Sequence, residues 1–212
     1  MNRLSDPGKE TELLAHYFTD NRNLEENRKE HSFRFSGHLY TFVTDNGVFS
    51  KTEVDRGTEI LLKACVNEVR PGETLDLGCG YGVVSVVLGS LNPGLSMTAV
   101  DINPRAVELT ELNCTRNNVS CRAFISDGFS EVSGMFRQVI TNPPIRAGKK
   151  VIYAMFEDSF THLQNGGSLY AVIRRKQGAE SALKKMDEIF GNCDVILRDK
   201  GYWVLKSTKL TG

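Results

Sequence analysis

The sequence predicts an α/β protein built on a doubly wound, mostly parallel sheet, and three observations carry that reading. From Glu73 onward, short apolar runs alternate with segments whose apolar residues recur at helical spacing, the pattern of β-α units whose helices cover both faces of a sheet. The first run of this region ends in Asp76-Leu77-Gly78-Cys79-Gly80-Tyr81-Gly82, a glycine-rich bend of the kind that joins a strand to a helix beside a ligand. The last two runs, Asp194–Arg198 and Tyr202–Ser207, flank Asp199-Lys200-Gly201, a turn that makes a closing antiparallel hairpin. A seven-stranded sheet results, with strands also expected at Thr74–Gly78, Ser96–Asp101, Cys121–Ser126, Gln138–Thr141 and Ser168–Ile173.

The helices follow from capping and periodicity. Asp55 stands where a side-chain N-cap would precede a helix at about Arg56–Val66. Val83–Leu91 follows the glycine bend, and Pro104 opens a helix that runs to about Arg116, because proline's missing N–H costs nothing in the first turn. Lys149–Leu163 carries Ile152, Met155, Phe156 and Phe160 at helical spacing, and Ala179–Phe190 is ended by Gly191. Upstream, His31–Ser36 and Leu39–Thr44, joined by Gly37-His38, read as a hairpin, and Asp45-Asn46-Gly47 as a second turn. The first 30 residues are polar, with an apolar stretch at Leu13–Phe18 that predicts one short helix at most. The expected organisation is an N-terminal extension with a β-hairpin over residues 1–50 and one α/β domain over 51–212.

Composition narrows the function. Lys+Arg and Asp+Glu both number 26, so no global field draws the chain to nucleic acid, and any such contact rests on a local basic patch. The five cysteines are odd in number and lack C-x-x-C spacing, which signals neither a disulfide framework nor a metal site and suits a reducing compartment. Met1–Asp20 has no apolar core of a secretory signal, and no apolar run is long enough for a bilayer. A cytoplasmic, membrane-free protein without bound metal is expected.

The candidate site lies at the carboxyl ends of the strands, where open α/β sheets bind ligands. Gly78 and Gly80 let the backbone turn tightly and approach a ligand, and Cys79 lies between them. The spacing G-x-G-x-G departs from the G-x-G-x-x-G of dinucleotide loops, with Val83 where a third fingerprint glycine would fall. Asp76 would repel a pyrophosphate and suits a cation such as an amino-acid ammonium. Asp101, followed by Ile102, ends the second strand and fits either ribose hydroxyls or the N-cap of the next helix. Asp127, before Gly128, fits either an adenine amino group or a plain turn.

Asn142-Pro143-Pro144-Ile145 follows the fourth strand. Two prolines make a rigid corner whose carbonyls point outward, and the Asn142 side chain adds an acceptor. Two fixed acceptors can hold both hydrogens of an exocyclic amine and aim its lone pair at an electrophile, so catalysis is mainly positioning. Arg146, Lys149 and Lys150 follow at once, and Arg174, Arg175 and Lys176 close the fifth strand. These form either a phosphate-binding rim or a solvated surface. The four histidines sit away from these strand ends and read as structural or surface residues.

Together the glycine loop, the acid after the second strand and the Asn-Pro-Pro corner resemble class I SAM-dependent (S-adenosylmethionine-dependent) methyltransferases that modify amino groups. Within that class, residues 38–208 resemble the RsmC-like family of small-subunit ribosomal RNA guanine-N2 methyltransferases. Gly47-Val48-Phe49-Ser50, Val54-Asp55-Arg56-Gly57-Thr58, Asn142 through Lys149, and Arg175-Lys176-Gln177-Gly178-Ala179 carry the likeness. The resemblance implies a Rossmann-like methyltransferase fold and SAM as cofactor. It implies that Asp76, Gly78 and Gly80 hold the methionine end, Asp101 the ribose and Asp127 the adenine. Phe49 and Ser50 close over the cofactor, and Asn142 with the Pro143 carbonyl holds the amine. The implied partner is RNA, small-subunit ribosomal RNA or the assembled subunit, with the enzyme a monomer or homodimer. The same corner chemistry serves adenine N6 or a protein glutamine amide, and a SAM- and RNA-binding module without turnover is the reading of another class. Ile145 stands where many such enzymes place a stacking aromatic ring. Longer relatives carry a second domain for which this length leaves no room, so substrate binding is expected to rest on the extension, the basic rim or a dimer partner.

Overall fold

The computed structural model describes residues 27–46, 48 and 53–210. Leu13–Phe18, Gly47, Phe49 and Ser50 lie outside the described residues. The chain forms β1 (Lys29–Phe35), β2 (His38–Thr44), α1 (Arg56–Cys65), β3 (Gly72–Leu77), α2 (Val83–Leu91), β4 (Leu95–Asp101), α3 (Pro104–Arg116) and β5 (Cys121–Ile125). There follow β6 (Phe136–Thr141), α4 (Lys149–His162), β7 (Leu163–Arg174), α5 (Ala179–Phe190), β8 (Asp194–Asp199) and β9 (Tyr202–Thr208). Short 3-10 turns at Ile145–Ala147 and Arg175–Gln177 precede α4 and α5.

The main sheet has seven strands in the order β5-β4-β3-β6-β7-β9-β8. Strands β3 to β7 run parallel, and β9 and β8 are added antiparallel. The chain winds outward from β3 through β4 to β5, then returns to place β6 on the other side of β3. The switch point therefore lies between β3 and β6, and the glycine bend and the Asn-Pro-Pro corner flank it.

Both faces are covered, as the buried runs Thr74–Leu77 of β3 and Leu169–Ile173 of β7 require. Ile60, Leu61 and Leu62 of α1, Val86 to Leu88 of α2 and Leu109 of α3 pack on one face together with Phe42 of β2. Ile152, Met155 and Phe156 of α4 and Ala182 and Met186 of α5 pack on the other. Helix ends obey the expected chemistry. Asp55 caps α1 by accepting the Thr58 N–H (3.1 Å). Asn103, rather than Asp101, caps α3 by accepting the Arg105 N–H (3.0 Å). Gly191, at φ 72°, takes the left-handed conformation that stops α5.

Strands differ most from their expected limits. β3 starts at Gly72, because its ladder with β4 already begins at the Gly72–Leu95 pair. β7 starts at Leu163, directly after α4. Its pairing with β6 jumps from Phe136–Leu163 to Gln138–Ser168, so Gln164 to Gly167 bulge out of the ladder. A side chain at Gly167 would start 2.9 Å from the Arg137 and Gln164 carbonyls, so the bulge needs glycine there. In both hairpins the turn is a two-residue, positive-φ pair, Ser36-Gly37 and Lys200-Gly201, so His38 belongs to β2.

The β1–β2 hairpin stands outside the main sheet and is held by side chains of α3. Asn113 accepts from Val43 N–H (2.7 Å) and donates to Val43 C=O (2.9 Å), and Asn117 treats Thr41 the same way (3.2 and 2.9 Å). Four residues of helix rise about 6 Å, and two residues of strand advance about 6.7 Å. Asparagines one turn apart can therefore meet alternate residues of one strand edge, as a neighbouring strand would. Asn113 also donates to the Tyr81 carbonyl (2.8 Å), tying the hairpin to the glycine bend. Arg105 meets Asp45 at 3.5 Å in the same seam.

Replacing Asn113 by Ala would leave three backbone groups of this seam without partners. We expect the loss to be about 2–4 kcal/mol in urea unfolding, against about 1 kcal/mol for Asn117→Ala at the seam's wetter end. Equal losses at the two positions would show that the link to Tyr81 contributes nothing.

Candidate active site

The glycine bend is built by the end of β4 as much as by β3. Gly78 and Cys79 both donate their N–H to the Val100 carbonyl (2.9 Å each). Gly78, Gly80 and Gly82 all have positive φ (78°, 57° and 88°), which excludes ordinary side chains on conformational grounds. Their surroundings separate them. A Cβ at Gly78 or Gly80 would meet nothing within 4 Å, whereas one at Gly82 would meet Thr110 at 3.0 Å. Gly82 thus lets α2 pack against α3, and Gly78 and Gly80 present bare backbone to open space. Cys79 turns inward, with its Sγ 3.3 Å from the Thr110 hydroxyl.

Asp101 crosses from β4 to this bend. Its Oδ2 accepts the Gly80 N–H and its Oδ1 the Asn103 N–H (2.9 Å each). Burial raises its pKa, opposed by hydrogen bonds from the amides of Asn103, Gly80 and Ile102. Ile102 is half-buried beside it. Asp127 is exposed at the end of β5, and its carboxylate has no partner among the described residues. Asp76 lies deeper than its neighbours, 2% exposed. Its Oδ2 accepts both the N–H (3.1 Å) and the hydroxyl (2.7 Å) of Ser85 in the first turn of α2. Burial pushes its pKa up to about 7; the Ser85 bonds oppose this and the Asp101 charge adds to it.

Across the switch point, Asn142 is oriented by α1. Its Nδ2 donates to Asp55 Oδ2 (3.0 Å) and to Thr58 Oγ1 (2.9 Å). A carboxylate only accepts, so the amide nitrogen must face Asp55 and the Oδ1 acceptor is turned away. That Oδ1 has no hydrogen bond among the described residues. The Pro144 carbonyl is taken by the Ala147 N–H (2.9 Å), while the buried Pro143 has no such backbone partner there. Asn142 Oδ1 and the Pro143 carbonyl are therefore left without protein donors among the described residues. Pro144 contributes rigidity and starts the 3-10 turn.

The basic residues form one rim. Arg146, Lys149 and Lys150 are exposed before and at the start of α4, and Arg174, Arg175 and Lys176 are exposed after β7. Lys149 reaches Ser181 in the first turn of α5 (3.2 Å), joining the clusters. Arg175 pairs with Glu180 (3.4 Å), and Arg174 lies over the Tyr202 ring, 5.9 Å from its centre. Ile145 packs its side chain against the core beneath α4.

The structure places Gly78, Gly80, Asp101 and Ile102 at the ends of β3 and β4 and Asn142 just after β6, with Asp76 and Cys79 buried beneath the bend and Asp127 and the cations exposed. Sequence reasoning missed Thr58 and the second role of Asp55 as partners of Asn142; the signal available was that both lie in the segment Val54–Thr58. The crevice fits SAM. The bare Gly78 and Gly80 backbone faces open space, with the Asp101 carboxylate beside it and the exposed Asp127 carboxylate beyond β5, groups able to accept hydrogen bonds from a cofactor.

Comparisons with known proteins agree with this geometry. The model of the methyltransferase small domain family matches residues 39–206. A Bacillus subtilis protein, the uncharacterized YbxB, is 40% identical over 93% of this chain and 100% of its own length. The ribosomal RNA small subunit methyltransferase C of Aeromonas hydrophila is 40% identical over 59% of this chain, which spans 37% of that protein. Among solved structures, a T. thermophilus 16S rRNA N2 G1207 methyltransferase in complex with AdoMet and guanosine superposes with a TM-score of 0.79 at 26% identity. That match covers 88% of this chain and 52% of the other.

A carboxyl whose pKa stands near 7 when folded, against about 3.9 when unfolded, binds more protons in the folded state between those values. Its contribution to stability therefore falls as pH rises from about 4 to 7. We expect Asp76→Asn to be more stable than the wild type at pH 8 by on the order of 2–4 kcal/mol, and nearly equal to it at pH 4.5. Urea unfolding at both values checks this; a variant less stable at pH 8 would show that the charge of Asp76 is satisfied in the folded chain.

Proposed function

From the premise that this chain belongs to the methyltransferase small domain family and uses SAM, we propose that it methylates an exocyclic amino group of a nucleobase in RNA. Guanine N2 of small-subunit ribosomal RNA is the preferred acceptor, and the cytoplasm the setting. The observation that carries the proposal is the orientation of Asn142. With Nδ2 held by Asp55 and Thr58, Oδ1 and the Pro143 carbonyl form a preset pair of acceptors for the two hydrogens of an aryl amine.

SAM supplies an electrophilic methyl group on a sulfonium. Every other contribution is the chain's own. Gly78 and Gly80 let the backbone lie against the methionine end, and the Asp76 charge beneath them favours its ammonium. Asp101, held in place by the Gly80 and Asn103 amides, would accept from the ribose hydroxyls, and Asp127 would accept from the adenine amine. Phe49 and Ser50 are assigned the closing edge. Asn142 Oδ1 and Pro143 O hold the acceptor nitrogen with its lone pair, otherwise delocalised into the ring, facing the methyl. No strong base is required, since the amine becomes acidic once methylated. Arg146, Lys149, Lys150, Arg174, Arg175 and Lys176 contact phosphates around the target. The β1–β2 hairpin supports the glycine bend through Asn113. The names of the relatives favour a ribosomal RNA acceptor, and the shared Asn-Pro-Pro chemistry leaves adenine N6 and a glutamine amide as outcomes of the test.

Incubation with methyl-labelled SAM and undermethylated small ribosomal subunits, followed by digestion to nucleosides, is expected to place the label in N2-methylguanosine. Asn142→Ala should lower the rate about 100-fold with SAM affinity retained. Label in N6-methyladenosine or in protein would move the acceptor, and an undiminished rate for Asn142→Ala would remove Asn142 from the mechanism.

Gly57 gives a subtler check. A side chain there would begin 2.9 Å from Asp55 Oδ2 and 3.4 Å from Asn142 Nδ2. Gly57→Ala is expected to cost about 10-fold in kcat through displacement of Asn142, with SAM affinity unchanged. An unchanged kcat would show that the orientation of Asn142 is not limiting.

A further inference from the structure

Two acceptors on one nitrogen fix a point and leave the plane of the base free to swing about it. Holding the lone pair on line therefore needs a flat surface beside the corner. Ile145, the residue after the prolines, cannot serve: it is aliphatic and packs against the core. A flat side chain close to the corner comes from the far end of the sequence. A Cβ placed on Gly57 would lie 3.2 Å from Tyr202 Cε1 and 3.4 Å from Asn142 Nδ2, so the Tyr202 ring and the Asn142 amide share one wall of α1.

Three further features suit Tyr202 to this place. It is the first residue of β9, opposite Arg174 at the end of β7, so it stands on the rim of the crevice. The Arg175 N–H to Gly201 C=O bond (2.8 Å) fixes the turn that leads into it. Its ring is half-buried and its hydroxyl has no hydrogen-bond partner among the described residues. The next residue, Trp203, faces the opposite side of the sheet with the α4–α5 core and Arg198 over its ring, so Tyr202 and not Trp203 stands on the corner's side. Arg174 is exposed, has no acidic partner among the described residues, and lies over the Tyr202 ring.

We propose that Tyr202, together with the planar Arg174 guanidinium over it, is the surface on which the acceptor base stacks. It is a positioning residue that brings the amine to Asn142 from β9. The inference rests on the reading of an RNA amine as acceptor. An aromatic ring and a guanidinium both stack on a base whatever its identity, while the Arg174 charge also suits the adjoining phosphate.

Steady-state methyl transfer to undermethylated small subunits at saturating SAM tests this with Tyr202→Ala, Tyr202→Phe and Arg174→Ala, alongside SAM affinity and thermal unfolding. We expect Tyr202→Ala to lose about 10- to 100-fold in kcat/KM for the RNA, the scale of one lost stacking contact, with most of it in KM. Tyr202→Phe should recover most of that loss, since the ring and not the hydroxyl carries the contact. Arg174→Ala, on the surface, should raise KM about 3- to 10-fold without changing stability, which keeps the test decisive if Tyr202→Ala folds poorly. Wild-type KM in both Tyr202→Ala and Arg174→Ala would overturn the proposal. So would a Tyr202→Phe as impaired as Tyr202→Ala, or a parallel fall in SAM affinity. A wild-type enzyme that labels protein and no RNA would instead refute the acceptor reading itself.

Discussion

One oxygen atom, Asp55 Oδ2, decides which end of the Asn142 amide faces the crevice. It accepts the Thr58 N–H that starts α1 and the Nδ2 of Asn142. A freely rotating amide would offer donor and acceptor with similar ease; one pinned to a carboxylate offers only its oxygen. The same oxygen that caps a helix therefore sets the polarity of a site at the end of a strand 87 residues later. The tight fit at Gly57 follows from it, since α1 must come close enough for Asp55 and Thr58 both to reach Asn142. Tyr202 then completes the wall from the other side.

The opposite bank of the crevice is held with similar economy. Asp101 bridges β4 to the Gly80 amide, and Asn113 bridges the Tyr81 carbonyl to the hairpin edge. The ring of Tyr81 is enclosed by Phe42 and His31 of the hairpin, with ring centres 5.7 Å away in each case. The glycine bend, which by composition should be the loosest part of the chain, is thus fastened on two sides while its open face stays bare. Preorganisation of this kind matters where catalysis is positioning, because no strong acid or base compensates for a misplaced reactant.

Legibility in the sequence follows how local each determinant is. Helices α2, α3 and α5 begin and end where expected because Gly82, Pro104 and Gly191 punctuate them within the segment. Strand limits were less legible, since ladder partners far along the chain set them, as Leu95 does for Gly72. The site divides the same way. The glycine bend, Asp101, Asp127 and Asn142 could be named because each sits next to a strand end that periodicity locates. Asp55 was visible only as a cap, and Tyr202 only as a strand residue, because their second roles depend on the order β3-β6-β7-β9. No periodicity encodes the asparagine clasp of the hairpin; it rests on a coincidence of helical and strand spacing across a seam.

Burial raises the pKa of both Asp76 and Asp101, the Asp101 charge adds to the rise at Asp76, and neither carboxylate has a cationic side-chain partner among the described residues. For folding alone this is a poor choice, since an amide at position 76 could keep the bonds to Ser85 without the charge. The arrangement becomes reasonable when a cation is the expected visitor. An arriving ammonium would hold Asp76 in its charged form, drawing back the cost that burial imposes on the empty site. Stability and affinity then depend on the same proton in opposite senses. With Asp76 facing the cofactor's ammonium as proposed, acidification through the range near neutrality would steady the ligand-free chain and weaken its attraction for the cation.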